Sequence, residues 1–107
     1  MGTTKITAHT IEQNQLAKIF KALAHPARIA ILQYISEQPN CICNDLVNEM
    51  DLAQATISQH LVELKKAGLI KGEITGKKLC YCIDVDKWYE TKQLINTFFI
   101  ETQKKSC

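Results

Sequence analysis

The stretch Asp51 to Leu69, DLAQATISQHLVELKKAGL, decides how the rest of the chain is read. Ile57, Leu61 and Leu64 recur at i, i+4 and i+7 on one helical face, which turns Gln54, Thr56, Gln59 and Lys66 toward other sectors. One face packs and another is free to read a partner. Gly68 follows the last periodic residue as a C-terminal stop, and the run from Leu69 has a different character. A helix therefore feeds a hairpin.

Downstream, Leu69 to Ile74 and Leu79 to Ile83 flank Thr75-Gly76-Lys77-Lys78. The second run alternates Leu79, Tyr81 and Ile83 inward against Cys80 and Cys82 outward, the pattern of a β-hairpin or wing. Upstream, a short third helix can start at Asn40 as N-cap, with Ile42, Leu46 and Met50 toward the core. Asp51-Leu52 leaves room only for a turn, so that helix and the opening stretch form a helix-turn-helix. Further back, Thr10 and Gln13 fit a capping box for a first helix carrying Ile11, Leu16, Ile19, Phe20 and Leu23 and ending near Ala24. Pro26 suits the first turn of a second helix with Ile29, Ile31, Leu32 and Ile35 as its buried stripe, and Pro39-Asn40 breaks it. Asp86 can cap a last helix in which Trp88, Leu94, Ile95, Phe98 and Phe99 make a broad apolar face. That face exceeds the needs of one small core. With the first helix it is the candidate homodimer surface, the alternative being that it closes the monomer core. The predicted fold is mainly α with a small β-hairpin, a winged helix-turn-helix of order α-α-α-α-β-β-α. It occupies one domain over 1–107, with ordered core from about 10 to 100 and flexible tails.

Composition bounds the function. The chain has 107 residues, 46% of them hydrophobic, and a formal net charge of +2. From Leu61 to Cys80, however, Lys65, Lys66, Lys71, Lys77 and Lys78 face only Glu63 and Glu73. This local basic excess beside the helix suits a polyanion, with a solvated lysine face as the alternative. No run reaches the roughly 20 apolar residues of a membrane span, and the polar start MGTTKITAHT lacks a signal peptide's apolar core. A cytoplasmic protein with no membrane partner is expected. Five cysteines without an export signal argue for reduced thiols in metal, redox or packing roles over a disulfide framework.

The element order, with FKALAHPARIAIL (Phe20 to Leu32), CICNDL (Cys41 to Leu46), ATISQHLVELKKAGLI and GKKLCYCID (Gly76 to Asp84), resembles the ArsR/SmtB family of metal-responsive winged-helix repressors. The resemblance runs from about Ile11 to Ile100. It implies a homodimer that holds double-stranded operator DNA until a metal or metalloid binds, a regulator and not an enzyme. By their own chemistry, Gln54, Thr56, Ser58 and Gln59 lie where the first half of a recognition helix meets base edges, and Gln can read adenine. His60 matches a residue the family uses beside DNA, with a structural role as the alternative. Lys77 and Lys78 at the wing tip would neutralise phosphates. Ala53 departs from the family, which usually has Ser or Thr there as N-cap. Unless Asp51 substitutes, that helix end is weaker by about 1 kcal/mol.

Cys41-Ile42-Cys43 is the candidate sensor. In a regular helix i and i+2 lie about 200° apart, so one ion gripped by both thiolates would distort that turn and move the helix behind it. Soft thiolates select soft ions: trivalent arsenic or antimony, cadmium, lead, copper(I) and zinc. The family's CxC at this place points to arsenic and antimony, or to cadmium and lead when N-terminal cysteines join in; no cysteine precedes Cys41. In the arsenic-type pattern a third cysteine lies three residues after the second, where this chain has Leu46. Cys107 is the best spare thiol for that place, the alternative being an ordinary terminal cysteine. With only two thiolates the site would suit a monosubstituted arsenical such as methylarsenite. Cys80 and Cys82 could form a second metal or redox site, but the family carries ordinary residues there, and they are read as incidental. His9 and His25 look isolated, and no histidine follows His60, which disfavours the family's zinc-sensor type.

The leading expectation is a homodimeric repressor released by trivalent arsenic or antimony, inorganic or methylated, at Cys41 and Cys43, with no organic cofactor. The alternatives are a cadmium, lead or thiol-redox sensor of the same fold, or a winged-helix protein-interaction module. A thiol enzyme fits least, because no motif sets a histidine beside the cysteines.

Overall fold

The structure, a computed structural model, describes residues 8–38, 41–43, 53–74 and 79–103. Its elements are α1 (Ile11–Leu23), α2 (Pro26–Ser36), β1 (Ile42–Cys43), α3 (Gln54–Lys66), β2 (Ile70–Ile74), β3 (Leu79–Ile83) and α4 (Val85–Thr102). The fold is a winged helix-turn-helix, as expected. The expected first helix of that motif lies, apart from its beginning, outside the described residues, as do Asp51 and the wing tip with Lys77 and Lys78.

Local chemistry sets the helix ends. Thr10 Oγ1 accepts from Gln13 N while Gln13 Oε1 accepts from Thr10 N, both at 3.0 Å, which closes the expected capping box of α1. His25 caps α2 through Nδ1, which accepts from Ala27 N at 3.1 Å, and Pro26 occupies the first turn. α3 ends where Gly68 N donates to Lys65 O and Leu69 N to Leu64 O, a Schellman closure that needs the positive φ of Gly68, 82°. The cap of α4 is Asp84, not Asp86: Asp84 Oδ1 accepts from Lys87 N at 3.3 Å, and Asp86 falls within the first turn.

The core is one cluster. Ile57, Leu61 and Leu64 of α3 meet Ile31, Leu32 and Ile35 of α2, with Leu69, Ile70 and Tyr81 from the hairpin. Ile29 departs from the expected stripe and is 41% exposed. At 100° per residue it lies roughly 110° around the helix from the centre of Ile31, Leu32 and Ile35. Ile11 is exposed as well, and α1 buries Ile19 and Ala22.

Among the described residues the sheet has three strands, not two, in the order β1-β3-β2, all antiparallel. β1 corrects the expectation of a helix through Ile42: Ile42 pairs with Tyr81 and Cys43 with Cys80. The apolar spacing of Ile42, Leu46 and Met50 was compatible with helix, but an open edge of β3 satisfies the backbone of Ile42 and Cys43 first. Gly72 in β2 has φ 131°, and a Cβ there would stand 2.1 Å from Cys80 O, so the two wing strands approach more closely than any side chain permits.

α3 begins at Ala53, whose side chain makes no capping hydrogen bond. Ala53→Ser is expected to raise unfolding stability by about 1 kcal/mol by giving an orphan amide an acceptor. Thermal melts of the two proteins check this; an unchanged midpoint would mean that another group already caps the helix.

Candidate nucleic-acid interface and thiol site

α3 divides as its periodicity demands. Ile57, Leu61 and Leu64 are fully buried, whereas Gln54, Thr56 and Gln59 are exposed and Ser58 is half-buried. Thr56 and Gln59 lie on the outer side of the helix whose other side is anchored in the core, and Gln54 is exposed at its first turn. Gln59 Nε2 donates to Glu63 Oε2 at 3.3 Å, and Lys66 Nζ lies 3.8 Å from the same carboxylate, both along the helix surface. These exposed contacts are weak enough to exchange for a ligand. Lys65 instead donates to the carbonyl of Gly72 and ties the helix to the wing.

His60 does not join that surface. It is 7% exposed, and its Nδ1 accepts from Arg28 Nε at 3.1 Å. Arg28 is thereby held in place, since its Nη1 also donates to Ala22 O at the end of α1. The ring of His25 packs on His60 with centroids 4.5 Å apart. His25 is thus neither isolated nor a ligand: it caps one helix and covers a buried residue of another. Sequence reading passed over Arg28, because only the folding of α2 against α3 brings it to His60. Burial, then His25, then Arg28 lower the His60 pKa below its ordinary 6.5.

The cysteines meet across strands. Cys41 and Cys82 form a disulfide with Cα atoms 4.6 Å apart, 41 positions apart in the chain. Cys80 is disulfide-bonded as well, and the register sets Cys43 opposite it. This corrects two expectations. Cys41 and Cys43 are not on a helix, and Cys80 and Cys82 are not incidental bystanders, because β1 pairs along the edge of β3 that carries them. Cys41, Cys80 and Cys82, expected to be free thiols, are paired in this form. Cys41 is exposed, and Cys80 and Cys82 are half-buried. Among the described residues no group of three or more His, Cys, Asp or Glu is poised to hold a metal ion. Cys107 lies outside the described residues.

A helix with a polar outer face, braced against a three-stranded wing, defines a DNA-binding regulator of the winged helix-turn-helix class. Residues 25–71 match the profile of the bacterial regulatory protein family arsR. An HTH-type transcriptional regulator of Methanocaldococcus jannaschii is 38% identical over 81 residues, covering 75% of this chain and 90% of the relative. A cadmium resistance transcriptional regulatory protein CadC homolog of Staphylococcus aureus is 34% identical over 90 residues, covering 83% and 71%. A crystal structure of an ArsR family transcriptional regulator superposes with a TM-score of 0.69 at 27% identity, covering 86% of this chain and 90% of the other. The chain belongs to the ArsR/SmtB family of helix-turn-helix transcriptional regulators, which are not enzymes. Among the described residues no helix is long and apolar enough to cross a membrane.

Because folding lowers the His60 pKa, the unfolded chain takes up a proton more readily than the folded one below pH 6.5. Stability is therefore full above that pH and falls as the solution is acidified. The melting temperature should drop from neutral to mildly acidic buffer, and by a smaller step in His60→Gln, which keeps an acceptor for Arg28 without the titration. An equal drop in both proteins would assign the acid sensitivity elsewhere.

Proposed function

We propose that the protein is a homodimeric repressor that holds operator DNA through α3 and the wing, and releases it when trivalent arsenic or antimony binds Cys41 and Cys43. The observation that carries this reading is that the Cys41–Cys43 segment belongs to the same sheet as the wing and lies upstream of α3 in the chain. An ion held there acts on the elements that touch DNA, so the two bound states are coupled by a short mechanical path. Soft, thiophilic chemistry at adjacent cysteines, with no histidine in contact with them among the described groups, agrees with a metalloid inducer.

On the DNA side, Gln54, Thr56, Ser58 and Gln59 would reach base edges, and Lys77 and Lys78 would neutralise phosphate. His60 is left out of the contact set, since its imidazole is engaged by Arg28 inside the fold. The dimer reading is supported by α4, which has no buried residue in the isolated chain although Trp88, Tyr89, Phe98, Phe99 and Ile100 lie exposed or partly so along it. Phe20 of α1 packs against Phe98 and Phe99, joining both helices in one apolar surface. Covering such a surface by a second copy is the usual solution for a small domain. The protein would work in the cytoplasm, where the nucleoid is accessible.

A second reading, cadmium or lead as inducer, is favoured by the likeness to the CadC homolog. Fluorescence anisotropy of the reduced protein on its own promoter fragment separates the two when titrated with arsenite, antimonite, cadmium and lead. Release by arsenite that disappears in Cys43→Ser is the expected result; release by cadmium or lead alone would establish the second reading, and failure to bind the promoter would sink both. In the same assay Gln59→Ala should weaken operator binding by about 1 to 3 kcal/mol, and an equal loss on random DNA would show that Gln59 reads no base.

A further inference from the structure

The proposed inducer site has two thiols in sequence and no settled third. Trivalent arsenic forms three bonds to sulfur, and soft divalent ions take four. Besides Cys107 the chain has Cys41 just before β1, Cys43 in it, and Cys80 and Cys82 in β3. The sheet register offers nearer partners. Cys82 stands beside Cys41 with their sulfurs in contact, and Cys80 stands opposite Cys43. Residues two apart in a strand share a face, so Cys80 and Cys82 present their thiols on one side of β3. Cross-strand neighbours have Cβ atoms about 5 Å apart, and a metal–sulfur bond of about 2.3 Å on each side bridges such a gap with small rotations about Cα–Cβ.

We infer that Cys80 and Cys82 of the wing strand are ligands, and that with Cys41 and Cys43 they make one thiol site spanning β1 and β3. The inference rests on the reading of Cys41 and Cys43 as the inducer site, and it assigns the third ligand to Cys82 in place of Cys107. The disulfide form and the ion-bound form use the same sulfurs and exclude one another. A dithiol reductant supplies two electrons and two protons to each disulfide, Cys41–Cys82 and the one that holds Cys80, and returns two thiols from each. Arsenous acid then forms three As–S bonds and releases three waters; a soft divalent cation instead displaces four protons from four thiols. Either ion clamps β1 to the strand that runs through Asp84 into α4, so the site joins the segment ahead of α3 to the helix proposed to form the dimer. Both bound forms require thiolate chemistry from the wing, which separates this site from one built on β1 and the C-terminal tail.

The test counts protected thiols. The full chain is reduced with dithiothreitol, freed of it anaerobically, loaded with arsenite or with cadmium, and treated with Ellman's reagent beside a Cys107→Ser variant. Arsenite should protect three thiols and cadmium four in both proteins. In Cys80→Ser/Cys82→Ser, arsenite should protect no more than two, and the cadmium–thiolate absorbance should fall by about half. If that double variant loses its helical circular dichroism, Cys82→Ser alone decides, with the loss of one protected thiol expected. Three thiols still protected in the wing variants, with one lost in Cys107→Ser, would overturn the inference and leave the inducer reading standing. No protection by either ion in the unaltered protein would overturn both.

Discussion

The pairing of β1 with β3 is the constraint on which the site depends. Two residues of β1 give up their local options to complete the backbone of a wing strand, and that ladder sets Cys41 beside Cys82 and Cys43 opposite Cys80. A two-stranded hairpin alone is marginal in water, and a third strand with an apolar face makes the wing part of the domain. Tyr81, at the centre of β3, is buried in the core formed by α2 and α3. The sheet is thus held by the same packing that presents α3.

The thiols and α3 are therefore not separate modules. Lys65 ties α3 to Gly72 of β2, and Gly72 admits the close approach of Cys80 and Tyr81 on β3. A change in how β1 sits on β3 would be felt through tight backbone contacts with little slack to absorb it. On another side of the helix, His60 joins α3 to α1 and α2 through hydrogen bonds of Arg28 and a ring contact with His25, beside the apolar core. Buried polar groups of this kind favour one packing arrangement when all their partners are met. The outer face of α3 stays polar and exposed.

Much of this was legible in the chain. The cap at Thr10, the stop at Gly68, the split of α3 and the wing strands all arise from chemistry within a few residues, and they stand where spacing predicted. The misplacements have separate causes. Ile42 and Cys43 have helical spacing but lie in a strand, Asp84 and not Asp86 begins α4, and Ile29 faces out. A partner strand distant in sequence decided the first, a choice between two carboxylates near one helix start the second, and the period of α2 itself the third.

By itself, then, the sequence determined the order of elements, the apolar faces and the presence of soft donors, because periodicity and capping act over one or two turns. Only the tertiary structure decided which donors meet. Cys41 and Cys82 are 41 residues apart, and nothing in either CxC specifies the other. Their meeting follows from strand register, which is set by the packing of Tyr81 and its neighbours into the core, and a shift of one residue would turn the cysteines to the other face.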